Sequence, residues 1–134
     1  MQPLPEPARN AAIAQLVSGI VSIFIMMPLL YFGWQMVALG LGVLTLGIGA
    51  ILGCCGWSAC LLLPLGVVEI IAGILGLTNN PAAVTMGRIV AYVEIAAILL
   101  GGITTFIAGV VAVIMLNKPE VEAWKAAQVA GPGA

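Results

Sequence analysis

Glu69 and Glu94 have the clearest capacity for chemistry in this sequence, because each interrupts a long apolar run. They occupy a repeat: residues 68–76 read VEIIAGILG and residues 93–101 read VEIAAILLG, identical at six of nine positions. Aliphatic matches are common in so apolar a chain. An aligned carboxyl is not, since placing one in a bilayer costs roughly a few kcal/mol. A weaker echo lies upstream, where Gln15-Leu16-Val17-Ser18-Gly19 aligns with Glu69-Ile70-Ile71-Ala72-Gly73. Paired carboxyls inside a membrane can bind or pass a proton or another ion, and intramembrane ionisable groups are functional candidates by default.

Helical geometry indicates where these groups point. Three, four and seven residues from Glu69 stand Gly66, Gly73 and Gly76, and the corresponding face around Glu94 carries Gly87, Ala91, Ala97 and Gly101. Gln15 shares a face with Ala12, Ser18, Gly19 and Ser22. Each polar group therefore lies on a stripe of small residues, the face that meets another helix rather than lipid. At 1.5 Å rise per residue, Glu69 and Glu94 are expected about 10–12 Å from the same membrane surface, level with each other in an antiparallel hairpin. If the stripes face each other, one carboxyl would keep its proton and donate a hydrogen bond to the other. Three roles compete: neutral packing devices, with Glu69 bonded to Ser22; a transport or proton-relay site; and an inter-subunit contact. No basic residue is expected at the same depth to complete a relay.

Other chemistry has less behind it. Cys54, Cys55, Cys60, Met26 and Met27 are soft ligands of the kind copper(I) prefers, but the cysteines sit at a turn and the methionines mid-span, so no metal or cofactor is expected. Three clustered cysteines do not form a disulfide framework. The serines lack a histidine or lysine base, and no catalytic residue is proposed. The strings GLG and GIG fall inside an apolar helix and do not form a phosphate loop.

The elements that must hold these residues are dictated by composition. The 134 residues are 63% hydrophobic and 7% charged, with a mean hydropathy of +1.23, against about a quarter charged in soluble domains. Only Glu69, Arg88 and Glu94 are charged between Arg9 and Lys118. That is membrane composition. The net charge of −1 and the scattered basic residues exclude a nucleic-acid surface and a polybasic lipid patch. The lack of histidine removes the commonest acid–base group.

A crossing takes about 20 apolar residues. An all-α, polytopic, four-helix transmembrane bundle with short loops is therefore expected, with spans at 11–33, 36–54, 58–77 and 87–116. A polar segment at 1–10 precedes it and a tail at 117–134 follows. Gly33-Trp34-Gln35, Cys55-Gly56-Trp57-Ser58, Thr78-Asn79-Asn80-Pro81 and Asn117-Lys118-Pro119 mark the boundaries. The first run, without a small-residue cleavage site, reads as an uncleaved span. Pro28 and Pro64 are expected to kink their helices. The tail is expected to form a short amphipathic helix laying Val121 and Trp124 on the membrane surface. This arrangement puts Arg9, Lys118 and Lys125 on one side and Arg88 on the other, so the positive-inside rule places both termini, and the Cys54–Cys60 turn, at the cytoplasmic face.

The chain holds seventeen glycines, and ten of them fall into heptad series. Gly33, Gly40 and Gly47 form one, Gly42, Gly49 and Gly56 another, and Gly66–Gly73 and Gly102–Gly109 repeat the interval, with Gly49 and Gly53 four apart. Gly40, Gly42, Gly47, Gly49, Gly53, Gly66, Gly73, Gly76 and Gly101 are expected to be helix-packing positions. Glycines on several faces of 36–54 suggest contact with more than one helix, a second protomer included. Cys54-Cys55-Gly56 resembles the tetraspanin loop signature, though the large loop that houses it is absent. The glycine-rich span followed by a hairpin and Glu69 is similar to the proteolipid subunits of rotary ATPases, with CCGW where their polar hairpin motif stands. Neither string carries a function across.

The expectation is a small non-catalytic integral membrane protein, a structural or accessory subunit or a self-assembling oligomer. Its partners would be the lipid bilayer and further copies or other membrane subunits. The alternative is an oligomeric channel or an ion- or proton-translocating proteolipid in which Glu69, Glu94, Gln15 and Ser22 form the site.

Overall fold

The computed structural model describes residues 3–44, 60–100 and 102–130, which are helical almost throughout and contain no strand. Helix α1 (Glu6–Val21) leads through a π-helical turn (Ser22–Met26) into α2 (Met27–Leu44). Helices α3 (Leu62–Gly76), α4 (Pro81–Ala96), α5 (Ile103–Leu116) and α6 (Pro119–Ala130) follow, and a 3-10 turn at Ala97–Leu100 extends α4. Two helices are long and apolar enough to cross a membrane, Glu6–Val43 and Pro81–Leu99. A third candidate arises if Ile103–Leu116 and Pro119–Ala130, bent by 64°, count as one span.

Glycine contacts define how the helices meet. A Cβ on Gly19 would lie 2.6 Å from the Gly66 carbonyl oxygen, and one on Gly73 would lie 2.6 Å from Leu16 Cβ and 2.8 Å from the Ala12 oxygen. The α1 and α3 backbones thus touch along their length, antiparallel. A Cβ on Gly109 would lie 2.7 Å from both the Ala91 oxygen and Glu94 Cβ, which sets α5 antiparallel to α4 at equally close range. Small residues allow this approach where packing, rather than expulsion of water, holds helices together. Of the expected packing glycines, Gly66, Gly73 and Gly76 contact α1. Around Gly40 no atom lies within 4 Å among the described residues, Gly42 is half-buried on α2, and Gly47, Gly49, Gly53 and Gly101 lie outside the described residues.

Two expected helix boundaries differ. The helix runs through Gly33-Trp34-Gln35 without interruption, because nothing there removes a backbone donor or caps an end. The break in helical geometry comes earlier. At the π turn the Met27 N–H donates to the Ser22 carbonyl, five residues back, just before Pro28. A proline ring crowds the carbonyl four residues upstream, and the wider turn relieves that contact. Conversely, 87–116 is not one helix. The chain turns back after Ala97–Leu100, with Gly102 N–H donating to the Ala97 oxygen at 3.1 Å, so α4 and α5 form a hairpin. Pro64 lies in the first turn of α3, where its missing N–H has no partner to lose. The turn at 78–80 falls where expected: the Ala82 N–H donates to Asn80 Oδ1 at 2.9 Å, and Pro81 opens α4.

These changes relocate Arg88. The end of α3 lies beside the start of α1, since a Cβ on Gly76 would lie 2.8 Å from Ala12 Cβ. The α3–α4 turn, and Arg88 just beyond it, therefore share an end with the N-terminal segment. Arg88 donates to the Leu116 carbonyl at 2.8 Å, satisfying the open C-terminus of α5, and also to Glu122 on α6. Ala8, Ala11, Val84, Leu116, Val121 and Trp124 form one buried cluster there. Val121 and Trp124 thus pack against α1 and α4, not on a lipid surface. Seven of the nine charged side chains gather at this end, the exceptions being Glu69 and Glu94. Cys60 precedes α3 at the opposite end; Cys54 and Cys55 lie outside the described residues.

The Arg88–Glu122 contact gives α6 a pH response. The hydrogen bond and the charge of Arg88 hold the Glu122 carboxyl below the usual carboxylate range. A lowered folded-state value means the stabilisation is complete above the unfolded value of about 4.3 and is lost as pH falls through the folded one. Both side chains are partly exposed, so the effect is small. Trp124 emission is expected to shift to the red as acid releases α6, and to stay constant over that range in Glu122→Gln. Identical titrations of the two proteins would show that this pair does not hold the helix.

Candidate functional site

Between α1, α3, α4 and α5 lies a layer of polar side chains in otherwise apolar packing. Gln15, Ser18 and Ser22 come from successive turns of α1 and its π turn, Glu69 from α3, Glu94 from α4 and Thr105 from α5. All six are buried, and Glu69, Glu94 and Thr105 are completely inaccessible. The stripe geometry explains the meeting. Gly66 and Gly73 bring α3 against α1 on either side of Glu69, and Gly109 brings α5 against the Glu94 backbone.

Two hydrogen bonds fix the edges of this layer. Gln15 Nε2 donates to the Gly87 carbonyl at 2.8 Å, an approach open because residue 87 has no side chain: a Cβ there would sit 3.3 Å from Gln15 Oε1. Ser22 Oγ and Thr105 Oγ1 pair at 2.8 Å. In membranes such bonds average about 0.6 kcal/mol, so each contributes register more than stability.

The centre is different. The hydroxyls of Ser18 and Thr105 face Glu69, Gln15 faces Glu94, and the two carboxyls are close enough to feel each other's charge. Yet neither oxygen of Glu69, neither oxygen of Glu94, nor Ser18 Oγ has a hydrogen-bond partner among the described residues. Buried polar atoms are normally satisfied, and five unsatisfied oxygens gathered in one layer exceed what packing requires. Ser22 is not bonded to Glu69, as the packing reading expected, because Thr105 takes its hydroxyl. Both carboxyls lie buried among the helices of one chain rather than on its outer face.

All four expected site residues, Gln15, Ser22, Glu69 and Glu94, are brought together. Ser18 and Thr105 join them without having been singled out as site residues. Ser18 was visible as a member of the Gln15 face. Thr105 was not, because a straight 87–116 helix would put it about 16 Å along the axis from Glu94, and only the α4–α5 hairpin returns it. Met26 and Met27 lie on the π turn and α2, beyond Ser22 in the chain, and Cys60 is free. Among the described residues, no three His, Cys, Asp or Glu side chains are grouped to hold a metal. No family model matches the chain, and neither a curated protein nor a solved structure is similar to it.

Proposed function

We propose that this chain is a non-catalytic integral membrane protein, a four-helix transmembrane bundle, that handles a proton or another ion at Glu69 and Glu94. One observation carries the reading: two completely buried carboxyls lie between the helices of a single chain, and none of their oxygens has a hydrogen-bond partner among the described residues. A group that costs a few kcal/mol to bury persists where burial is offset by something it binds. The test is flux. The purified protein in liposomes should pass protons or cations when a gradient is applied, and Glu69→Gln should abolish the flux.

A second reading, an accessory or self-assembling subunit, is favoured by α2. Ala38 is the one wholly buried residue among those described on this apolar helix, and Gly33, like Gly40, has no described atom within 4 Å. A lateral partner in the bilayer, another copy or a different subunit, would use that face. Native mass spectrometry of the protein released from its own membrane separates the readings. A fixed-ratio complex with other polypeptides, together with inactive liposomes, would support the subunit role and sink ion handling.

We place the charged end on the cytoplasmic side. Arg9, Arg88, Lys118 and Lys125 all lie there, four cations against none at the other end, which is the bias the positive-inside rule counts. In a bacterial host, a C-terminal green fluorescent protein should fluoresce, and a C-terminal periplasmic phosphatase should be inactive. The reverse pattern would overturn the orientation.

A further inference from the structure

We infer that the layer around Glu69 and Glu94 is a binding site for a hard divalent cation, with Ca2+ the best match. The inference rests on the reading of the carboxyl pair as an ion site and names its occupant. The first argument is charge. Two carboxyls in a low-dielectric interior must be neutralised, by protons or by a bound cation, because an isolated buried ion is strongly unfavourable. No basic side chain is available: Arg88, six residues before Glu94, is committed to the Leu116 carbonyl and to Glu122 at the charged end. A divalent ion balances two carboxylates completely, whereas a monovalent ion leaves one negative charge in the membrane.

The second argument is the donor set. Glu69 and Glu94 offer four unpartnered oxygens, and Ser18, 5% exposed, aims an unpartnered hydroxyl at the same centre. Thr105, whose hydroxyl pairs with Ser22 and also faces Glu69, can supply a sixth oxygen, while Gln15 turns its amide nitrogen toward the Gly87 carbonyl. Every donor is oxygen, which selects hard cations over zinc or copper. About six to eight flexible oxygens suit Ca2+, whereas Mg2+ demands a near-ideal octahedron and holds its waters. Helix register supports the cluster: Gln15, Ser18 and Ser22 share one face of α1, locked at either end by the Gly87 and Thr105 bonds. Ser18, between those locks, is left free to coordinate.

The test uses the full chain in phosphatidylcholine nanodiscs with Ca2+ alone as probe, read by calorimetry and by infrared spectra of the carboxyl bands. The wild type should bind a single Ca2+ saturably, with a shift of the carboxylate stretch that Na+ does not reproduce. Glu69→Gln and Glu94→Gln should each weaken binding at least about tenfold, since affinity follows the number of charged ligands. Ser18→Ala should weaken it less, and Glu122→Gln should bind as the wild type does. Glu6, Glu120 and Glu122 also give carboxyl bands, so the infrared arm is read as the difference from Glu69→Gln and Glu94→Gln, while calorimetry of the wild type needs no variant and a misfolded mutant cannot obscure it. Carboxyl bands that respond to pH but not to Ca2+ would overturn the cation site and leave ion handling standing as proton binding. Bands that respond to neither would overturn both.

Discussion

Gly73→Ala is expected to be among the most destabilising single-methyl changes on the described helices. The added carbon would lie 2.6 Å from Leu16 Cβ and 2.8 Å from both the Ala12 oxygen and the Leu16 nitrogen. Two of those atoms are backbone, so no side-chain rotation relieves the overlap and α3 must move away from α1. Overpacking a close-packed contact costs about 1–3 kcal/mol, and here the displaced helix also carries Glu69. Gly109→Ala meets the same obstacle against the Ala91 oxygen and Glu94 Cβ. Gly40→Ala is the control. No described atom lies near it, and alanine is favoured over glycine inside a helix by roughly 0.5–1 kcal/mol. Thermal melts in detergent, followed by helical circular dichroism, should therefore fall for Gly73→Ala and Gly109→Ala and hold or rise for Gly40→Ala. Equal melting of all three would mean that the helices do not approach at these glycines.

The second large effect separates stability from activity at one residue. Glu69→Gln keeps the shape of the side chain and removes its charge, and the amide oxygen can still accept from the Ser18 and Thr105 hydroxyls that face it. The melting temperature should hold or increase, since a buried group that prefers water is replaced by a neutral amide. Flux in liposomes should drop to the level of empty vesicles. A packing role predicts the opposite combination, a lower melting temperature with unchanged flux. Measuring both quantities on one preparation leaves no room to attribute lost flux to unfolding.

The polar core was readable from sequence because charge is so scarce. A glutamate repeated within an aliphatic motif, flanked at helical spacing by Gly66, Gly73 and Gly76, can face only another helix, and Gln15 and Ser22 follow by the same periodicity. The path of the backbone was harder to read. In an all-apolar chain, a helix continuing past Gly33 and one ending there have the same composition, and Trp34 and Gln35 suit either. The α4–α5 turn left only Gly101-Gly102 as a signal, in a stretch whose hydropathy does not change. Arg88 was placed at the wrong end for a related reason. Which end a loop occupies depends on the parity of the crossings before it, and parity is fixed by how α1 meets α3, a tertiary contact with no local signature.

The gathering of charge at one end bears on how the chain enters a membrane. Neither residues 10–68 nor residues 95–117 contain an Asp, Glu, Lys or Arg, and the described parts of the uncharged end, around Cys60 and the α4–α5 turn, come from these two stretches. In the proposed orientation that end is the part carried through the hydrocarbon during insertion, and it travels without a charged group to desolvate. The inverted arrangement would drag Arg9, Arg88, Lys118 and Lys125 across, at about 2.5–3.5 kcal/mol for each residue on the insertion scale. On the proposed reading, the work of translocation alone would give the newly made chain a single direction of entry.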